Sequence, residues 1–310
     1  MSLEYQQLLA AADASGSRSK RRELLKCMRM SKVRAPRVVL RHGLAALRQG
    51  GLGAEAWTLR EQVLLAALDA AQPEEAARQL AALQRQFPGS VRVARLQGMA
   101  LEQRGDAEGA GDLYAELLQE TPGNALATKR QICVLKAAGQ TSAAIEALNA
   151  YLANFAADAS AWGELGELYL TVGAHRRAVF CLEEQLLAEP MSFGLHCRLA
   201  ELLYTMGGEE NLRSSRKYFA QSYHLNKRNP RAVVGMAMAA AALARSSKAA
   251  ASHGRFALED KDVNDEIHAL AGEQLAVLYG AAGDAGGAAR AAAVLKEQEP
   301  TLAAAGGTRR

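Results

Sequence analysis

A single interval of 34 residues organises the chain. Ala76, Ala110, Ala144 and Ala178 stand that far apart, and Leu80, Tyr114, Leu148 and Leu182 follow four residues behind each of them. Gly105, Gly139, Gly173 and Gly207 keep the same period, as do Pro88, Pro122 and, two periods on, Pro190. A repeat of this length holds one supersecondary unit, too small to bury its own apolar face. Neighbouring units must therefore stack and share a continuous core.

Residues 159–190 show what one unit contains. Trp162, Leu165, Gly166 and Tyr169 fall on one face of a first helix, with Gly166 removing a side chain where a second helix must come close. Gly173 ends that helix, Ala178 and Leu182 begin the inner face of the second, and Pro190 stops it. The pattern resembles the tetratricopeptide repeat. The resemblance implies an all-α fold, a tetratricopeptide-repeat superhelix (a right-handed α-solenoid) of about five to six helical hairpins with extra N- and C-terminal helices.

Extending the register predicts repeats at 57–88, 91–122, 125–156, 159–190 and 193–230. The last is longer by about three residues, placed by the sequence at Gly207-Gly208-Glu209-Glu210-Asn211. Residues 1–56 read as a basic N-terminal helical extension. Residues 231–300 read as C-terminal helices: an Ala/Met-rich helix over Ala232 to Ala244, a polar stretch through Asn264, and a repeat-like hairpin at 269–300. Residues 301–310 read as a flexible tail.

Composition agrees with this class and excludes others. Aromatic residues make up 5% of the chain and prolines number 7, while helix-forming Ala, Leu, Glu, Gln and Arg recur throughout, which argues against a sheet protein. The longest apolar run, Ala232 to Ala244, is shorter than the roughly 18 residues a membrane span needs. Met1 to Ala14 lacks the apolar core of a secretory signal. Cys27, Cys133, Cys181 and Cys197 show no Cys-x-x-Cys spacing and read as buried hydrophobes in a reducing compartment.

Charge is distributed unevenly. Between Ala14 and Ala54 there are 11 basic residues, from Arg18 to Arg48, against the single acid Glu23; the rest of the chain holds 26 basic and 32 acidic residues. Such a block can meet phosphates, anionic headgroups or an acidic protein face, or simply remain a solvated helix.

Catalytic signatures are missing. Gly50-Gly51-Leu52-Gly53 lacks the Lys-Ser/Thr that a phosphate loop requires, and the six histidines have no ligand spacing. His196 takes the place of Trp162 one repeat later and reads as packing. The chain is therefore expected not to be an enzyme and to need no cofactor, metal or small-molecule substrate. Its expected working surface is a groove lined by first helices, suited to a peptide or helix of a partner. The residues left facing it are Arg92, Arg95, Met99, Lys129, Cys133, Lys136, Ser160 and Glu167. Lys129 and Arg95 are followed one turn later by Cys133 and Met99, so the Lys/Asn pairs with which some repeat proteins grip the acidic end of heat-shock chaperones are absent.

Four stretches carry a more specific resemblance: Glu61 to Asp69, Arg85 to Ser90, Ala178 to Glu184, and above all Tyr204 to Ala220 with its Gly-Gly-x-Glu-Asn-Leu turn. They are similar to the subunit 2 family of the endoplasmic reticulum (ER) membrane protein complex, over about 57–240. The resemblance implies a non-catalytic scaffold on the cytoplasmic face of the ER membrane, attached peripherally through membrane and soluble subunits of the complex. It would support insertion of transmembrane helices, including those of tail-anchored proteins. A generic peptide-binding adaptor stays open beside it, as does an RNA-associated repeat protein using the basic N-terminus. No aromatic residue for base stacking occurs between Gln6 and Ala56, so nucleic acid is not the expected partner.

Overall fold

The computed structural model describes residues 3–249 and 256–298, and the tail 301–310 lies outside them. The described residues form sixteen helices and no strand. The fold is an all-α array of tetratricopeptide-type hairpins. It divides into two compact units, 1–147 and 148–310, with the division inside one helix.

The first unit holds α1 (Leu3–Ser15), α2 (Arg18–Met30), α3 (Pro36–Gln49), α4 (Glu55–Asp69), α5 (Pro73–Gln86), α6 (Val91–Gln103), α7 (Ala107–Glu120), α8 (Ala125–Ala137) and the start of α9 (Thr141–Asn154). One core runs through its first six helices. Leu24, Leu25 and Met28 of α2, Leu40 and Ala46 of α3, Leu59, Val63 and Leu64 of α4, and Leu80 and Leu96 beyond them are buried together. Each large side chain so buried is worth about 1.5–3 kcal/mol relative to exposure. The basic N-terminal segment is thus part of a packed core.

The second unit holds the remainder of α9, then α10 (Ala159–Thr171), α11 (His175–Ala188), α12 (Phe193–Met206), α13 (Glu209–Leu225), α14 (Pro230–Ala249), α15 (Phe256–Ala281) and α16 (Ala285–Gln298). A Cβ added to Gly166 of α10 would lie 3.4 Å from Cys181 Cβ of α11, the close approach that its place in the motif demands. Small residues let α14 lie close to its neighbours, and Gly235 leaves the room taken by the Phe219 ring. Burial, reinforced by Glu184, pushes the Cys181 thiol up to about 11, and burial also raises that of Cys197. None of the four cysteines is in a disulfide.

Two local expectations are corrected. The extra residues of the fifth repeat do not lengthen the Gly207 turn: α13 starts 34 residues after α11, and its 17 residues against 14 extend its far end to Leu225. Of the polar stretch through Asn264, residues 250–255 lie outside the described residues, and from Phe256 on it already belongs to α15, ahead of the hairpin expected from 269. Asn264 is buried and its side-chain oxygen accepts a 2.5 Å hydrogen bond from Arg216 of α13, which is how a polar residue holds a core position there.

Short turns fix the hairpins. At Gly105, Gly139 and Gly173 the backbone enters the left-handed region, with φ of 82°, 71° and 72°. The following N–H then returns to a carbonyl five residues earlier, as in Asp106 to Leu101, Gln140 to Leu135 and Ala174 to Tyr169. The same bond closes α4 and α2, where Gln72 donates to Ala67 and Val33 to Met28. There the left-handed positions are occupied by Ala71 and Lys32, at φ of 52° and 53°. The connection between α2 and α3 therefore has the turn geometry of the repeats, in a segment where the sequence showed no glycine to mark it.

Candidate partner-binding face

Consecutive first helices are joined by charged side chains that the linear sequence leaves far apart. In the first unit Arg22 of α2 pairs with Glu55 of α4, Arg92 of α6 with Glu61 of α4 at 2.9 Å, and Arg130 of α8 with Glu102 of α6. In the second, Arg198 of α12 pairs with Glu167 of α10, and Arg231 of α14 grips Glu201 of α12 through two bonds of 3.0 and 2.7 Å. Each rung ties one hairpin to the next. Most are exposed, so each contributes below about 1 kcal/mol to stability and acts chiefly on register.

Glu102 is the exception. Its carboxylate accepts a 2.6 Å hydrogen bond from the hydroxyl of Tyr114, a side chain of α7 with no exposed surface, as well as both bonds from Arg130. Burial first, and then the bond to Glu102, push the Tyr114 phenol far above its ordinary value. Three helices thus meet at one carboxylate.

The candidate groove residues fall into several environments. Arg92 is exposed but occupied by Glu61. Arg95 is half-buried, and that burial lowers its pKa while Glu61 opposes the shift. Met99 packs against the core of the first unit. Lys129 and Cys133 are half-buried on α8, with Lys136 exposed one turn on from Cys133. On α10, the Ser160 hydroxyl donates to Asp158 at 2.7 Å, where Asp158 also caps the helix by accepting from the Ala161 N–H, and Glu167 is engaged by Arg198. The six residues from 92 to 136 occupy one run of first helices in the first unit, and Ser160 and Glu167 belong to the second.

His196 replaces Trp162 in function as well as in register. Trp162 Nε1 donates to the carbonyl of Ala156 at 2.8 Å, and His196 Nε2 lies 2.9 Å from the carbonyl of Pro190, six residues upstream in each case. Part of the basic block is engaged within the fold. Lys20 pairs with Glu23, Arg29 with Glu55, Arg34 with Asp69 through two bonds, and Arg41 with Asp13, while Arg18 donates to the Gly50 carbonyl. No local pattern marks these partners, since each of the carboxylates other than Glu23 lies on a different helix from its cation. Among the described residues no group of three or more His, Cys, Asp and Glu side chains converges as a metal ion would require.

The sequence model of the family described as "EMC2 TPR-like repeat domain" matches residues 86–218, from the end of α5 into α13. ER membrane protein complex subunit 2-A of Xenopus laevis is 44% identical over 200 residues, which is 64% of this chain and 67% of that protein. The chain belongs to the ER membrane protein complex subunit 2 family. A Dictyostelium discoideum member of that family is 34% identical over 209 residues, 66% of this chain and 65% of its own. The TPR repeat protein oca3 of Schizosaccharomyces pombe is 32% identical over 173 residues, 55% of this chain and 61% of that one. Among solved structures, the C-terminal part of a TPR repeat-containing protein from Cytophaga hutchinsonii aligns with 77% of this chain and 95% of its own at 16% identity and a TM-score of 0.49.

Proposed function

We propose that the chain is a non-catalytic scaffold subunit of an ER membrane protein complex. In this reading it lies on the cytoplasmic face of the membrane, holds cytosolic segments of membrane-embedded subunits against its first helices, docks a soluble subunit elsewhere, and so supports insertion of transmembrane helices, tail anchors included. The observation that carries the reading is the 44% identity to a protein bearing the name of that complex's subunit 2, extending over two thirds of that protein. The repeat array supports it, since stacked hairpins offer an extended surface to a peptide or helix. Among the described residues no helix is long and apolar enough to cross a bilayer, and attachment through partner subunits fits that. Arg22, Arg29, Arg34 and Arg41 of the Arg18 to Arg48 block are engaged by Asp13, Glu55 and Asp69, and the segment offers no Phe, Tyr or Trp to stack on a base, which disfavours the RNA-binding alternative.

The test is affinity purification of the tagged chain from mild-detergent extracts of its own cells. A fixed set of multi-spanning ER proteins recovered in equal amounts supports the proposal. Recovery of ribonucleoproteins, or of chaperones alone, refutes it. Arg95→Glu combined with Lys129→Glu is expected to keep the helical circular dichroism and lower recovery several-fold. Unchanged recovery would remove these residues from the interface.

A further inference from the structure

A cleft of about 310 Å³ opens between α2, α3 and α4 in the first unit, away from the residues assigned to the groove. Its apolar wall includes Val33, Val39 and Leu65, while Arg29, Lys32 and Arg34 carry positive charge to its edge. The acids available to these cations are already engaged. Asp69 is held by Arg34 through bonds of 2.8 and 2.5 Å, and Glu55 is shared by Arg22 and Arg29. Arg29 also donates to Gln62 at 2.6 Å, so its guanidinium is fixed against α4. Among the described residues, neither Lys32, exposed in the α2–α3 turn, nor exposed Arg37, next to the lining residue Pro36, forms an ion pair with a carboxylate. The result is an apolar recess whose one lining carboxylate, Asp69, is spent and whose edge keeps surplus positive charge.

We infer that this cleft binds a short linear segment of a partner protein in which a bulky apolar side chain is flanked by carboxylates. The apolar side chain removes the wall residues from water, and the flanking acids answer Lys32 and Arg37. Complementary charge of this kind raises the association rate and fixes direction more than it adds affinity, so binding should weaken with salt. A nucleic acid suits the cleft poorly, because none of its lining residues is aromatic and a base would find nothing to stack on. A flat lipid surface would leave the recess empty. The inference goes beyond the scaffold reading and stands on the cleft alone, so either can fail without the other.

The test is fluorescence anisotropy of the full chain with a fluorescein-labelled peptide of sequence Asp-Glu-Leu-Phe-Glu-Asp. Two controls accompany it: the charge-inverted Lys-Arg-Leu-Phe-Arg-Lys, and Asp-Glu-Ser-Ser-Glu-Asp, which lacks the apolar pair. The expected result is binding of the first peptide about tenfold tighter than either control, weakening several-fold when ionic strength rises from about 0.05 M to about 0.3 M. Lys32→Glu with Arg37→Glu, both exposed, should retain the helical circular dichroism and lose about tenfold in affinity for the acidic peptide. Equal binding of acidic and basic peptides, or an unchanged affinity in the double variant, would overturn the inference. So would a chain that ignores the peptide yet binds phosphatidylserine vesicles or oligouridylate in a manner abolished by the same two substitutions.

Discussion

The turns that close α6, α8 and α10 and those that close α2 and α4 make the same backbone bond with different residues. Gly105, Gly139 and Gly173 serve the first group, Lys32 and Ala71 the second. Ala71 stands 34 residues before Gly105, in the register of the glycine series. A left-handed conformation costs a residue with a Cβ roughly 1–2 kcal/mol, so glycine is the expected occupant. That Lys32 and Ala71 adopt it shows that the packing of α2 on α3 and α4 on α5 dictates the turn, and residue preference only sets its cost. The N-terminal hairpin is held by buried Leu24, Leu25, Leu40 and Val63 and by charged cross-links to α4, which together outweigh an unfavourable turn.

Helix-to-helix contacts at equivalent glycines also differ between the two units. Gly98 and Gly166 occupy the same register two periods apart, but a Cβ at Gly98 would lie 2.5 Å from ring atoms of Tyr114, against 3.4 Å from Cys181 for Gly166. Tyr114 is fully buried and tied to Glu102, so it cannot give way. Gly98→Ala should therefore cost about 2–3 kcal/mol by overpacking, and Gly166→Leu a similar amount. Gly166→Ala should lie within about 1 kcal/mol of the parent, because helix propensity gained offsets a mild contact. Urea titration followed by circular dichroism measures all three, and equal midpoints for the two alanine variants would show that register alone decides.

Next in size is the Glu102 node. Glu102→Ala strands the Tyr114 hydroxyl and the half-buried Arg130, an expected loss of about 2–3 kcal/mol. Arg92→Ala, at a rung whose arginine is mostly exposed, should cost below about 1 kcal/mol. If the two variants melted alike, the node would be no more than another surface pair.

A smaller effect separates the N-terminal helices by pH. His42 of α3 is buried, and its Nε2 comes 3.2 Å from Asp13 of α1 but off the line of a hydrogen bond. Burial, aided by Arg41 and Arg21 and opposed by Asp13, lowers its pKa below the ordinary histidine value. The unfolded chain then binds a proton more readily than the folded one, so stability falls as pH drops below about 6.5. The urea midpoint at about pH 5.5 should lie below that at about pH 7.5, and His42→Leu should shrink the difference. A difference of the same size in that variant would assign the acid sensitivity to other groups.

The smallest expected effect tests the turns directly. Ala71→Gly should stabilise the chain by about 0.5–1 kcal/mol, and Gly139→Ala should destabilise it by about 1 kcal/mol. A destabilising Ala71→Gly would mean that the left-handed turn is not what limits α4.

Much of this was legible in one dimension. The 34-residue series gives the helical hairpins, the contact at Gly166 and the role of His196 as a substitute for Trp162, because each rests on residues within one hairpin or one repeated slot. The groove was less legible. Arg92 and Glu167 read as groove-facing charges, yet Glu61 and Arg198 occupy them, and no local signal marks a partner 31 residues away except the opposite sign of the charges. The basic block misled in the same way, since Asp13, Glu55 and Asp69 lie outside the stretch over which the charge was counted.

That the chain is a helical repeat protein, and the family it belongs to, can be read from the linear chain, because period, turn residues and motif are written in neighbouring positions. Tertiary structure alone decided which charges are spent in joining hairpins, which non-glycine residues bend backwards, and that the extra length of the fifth repeat goes into the end of α13. The physical reason is range. Helix periodicity and capping act over a few residues of chain, whereas an ion pair, a recess or an imposed backbone angle depends on surfaces that meet only after the helices have stacked.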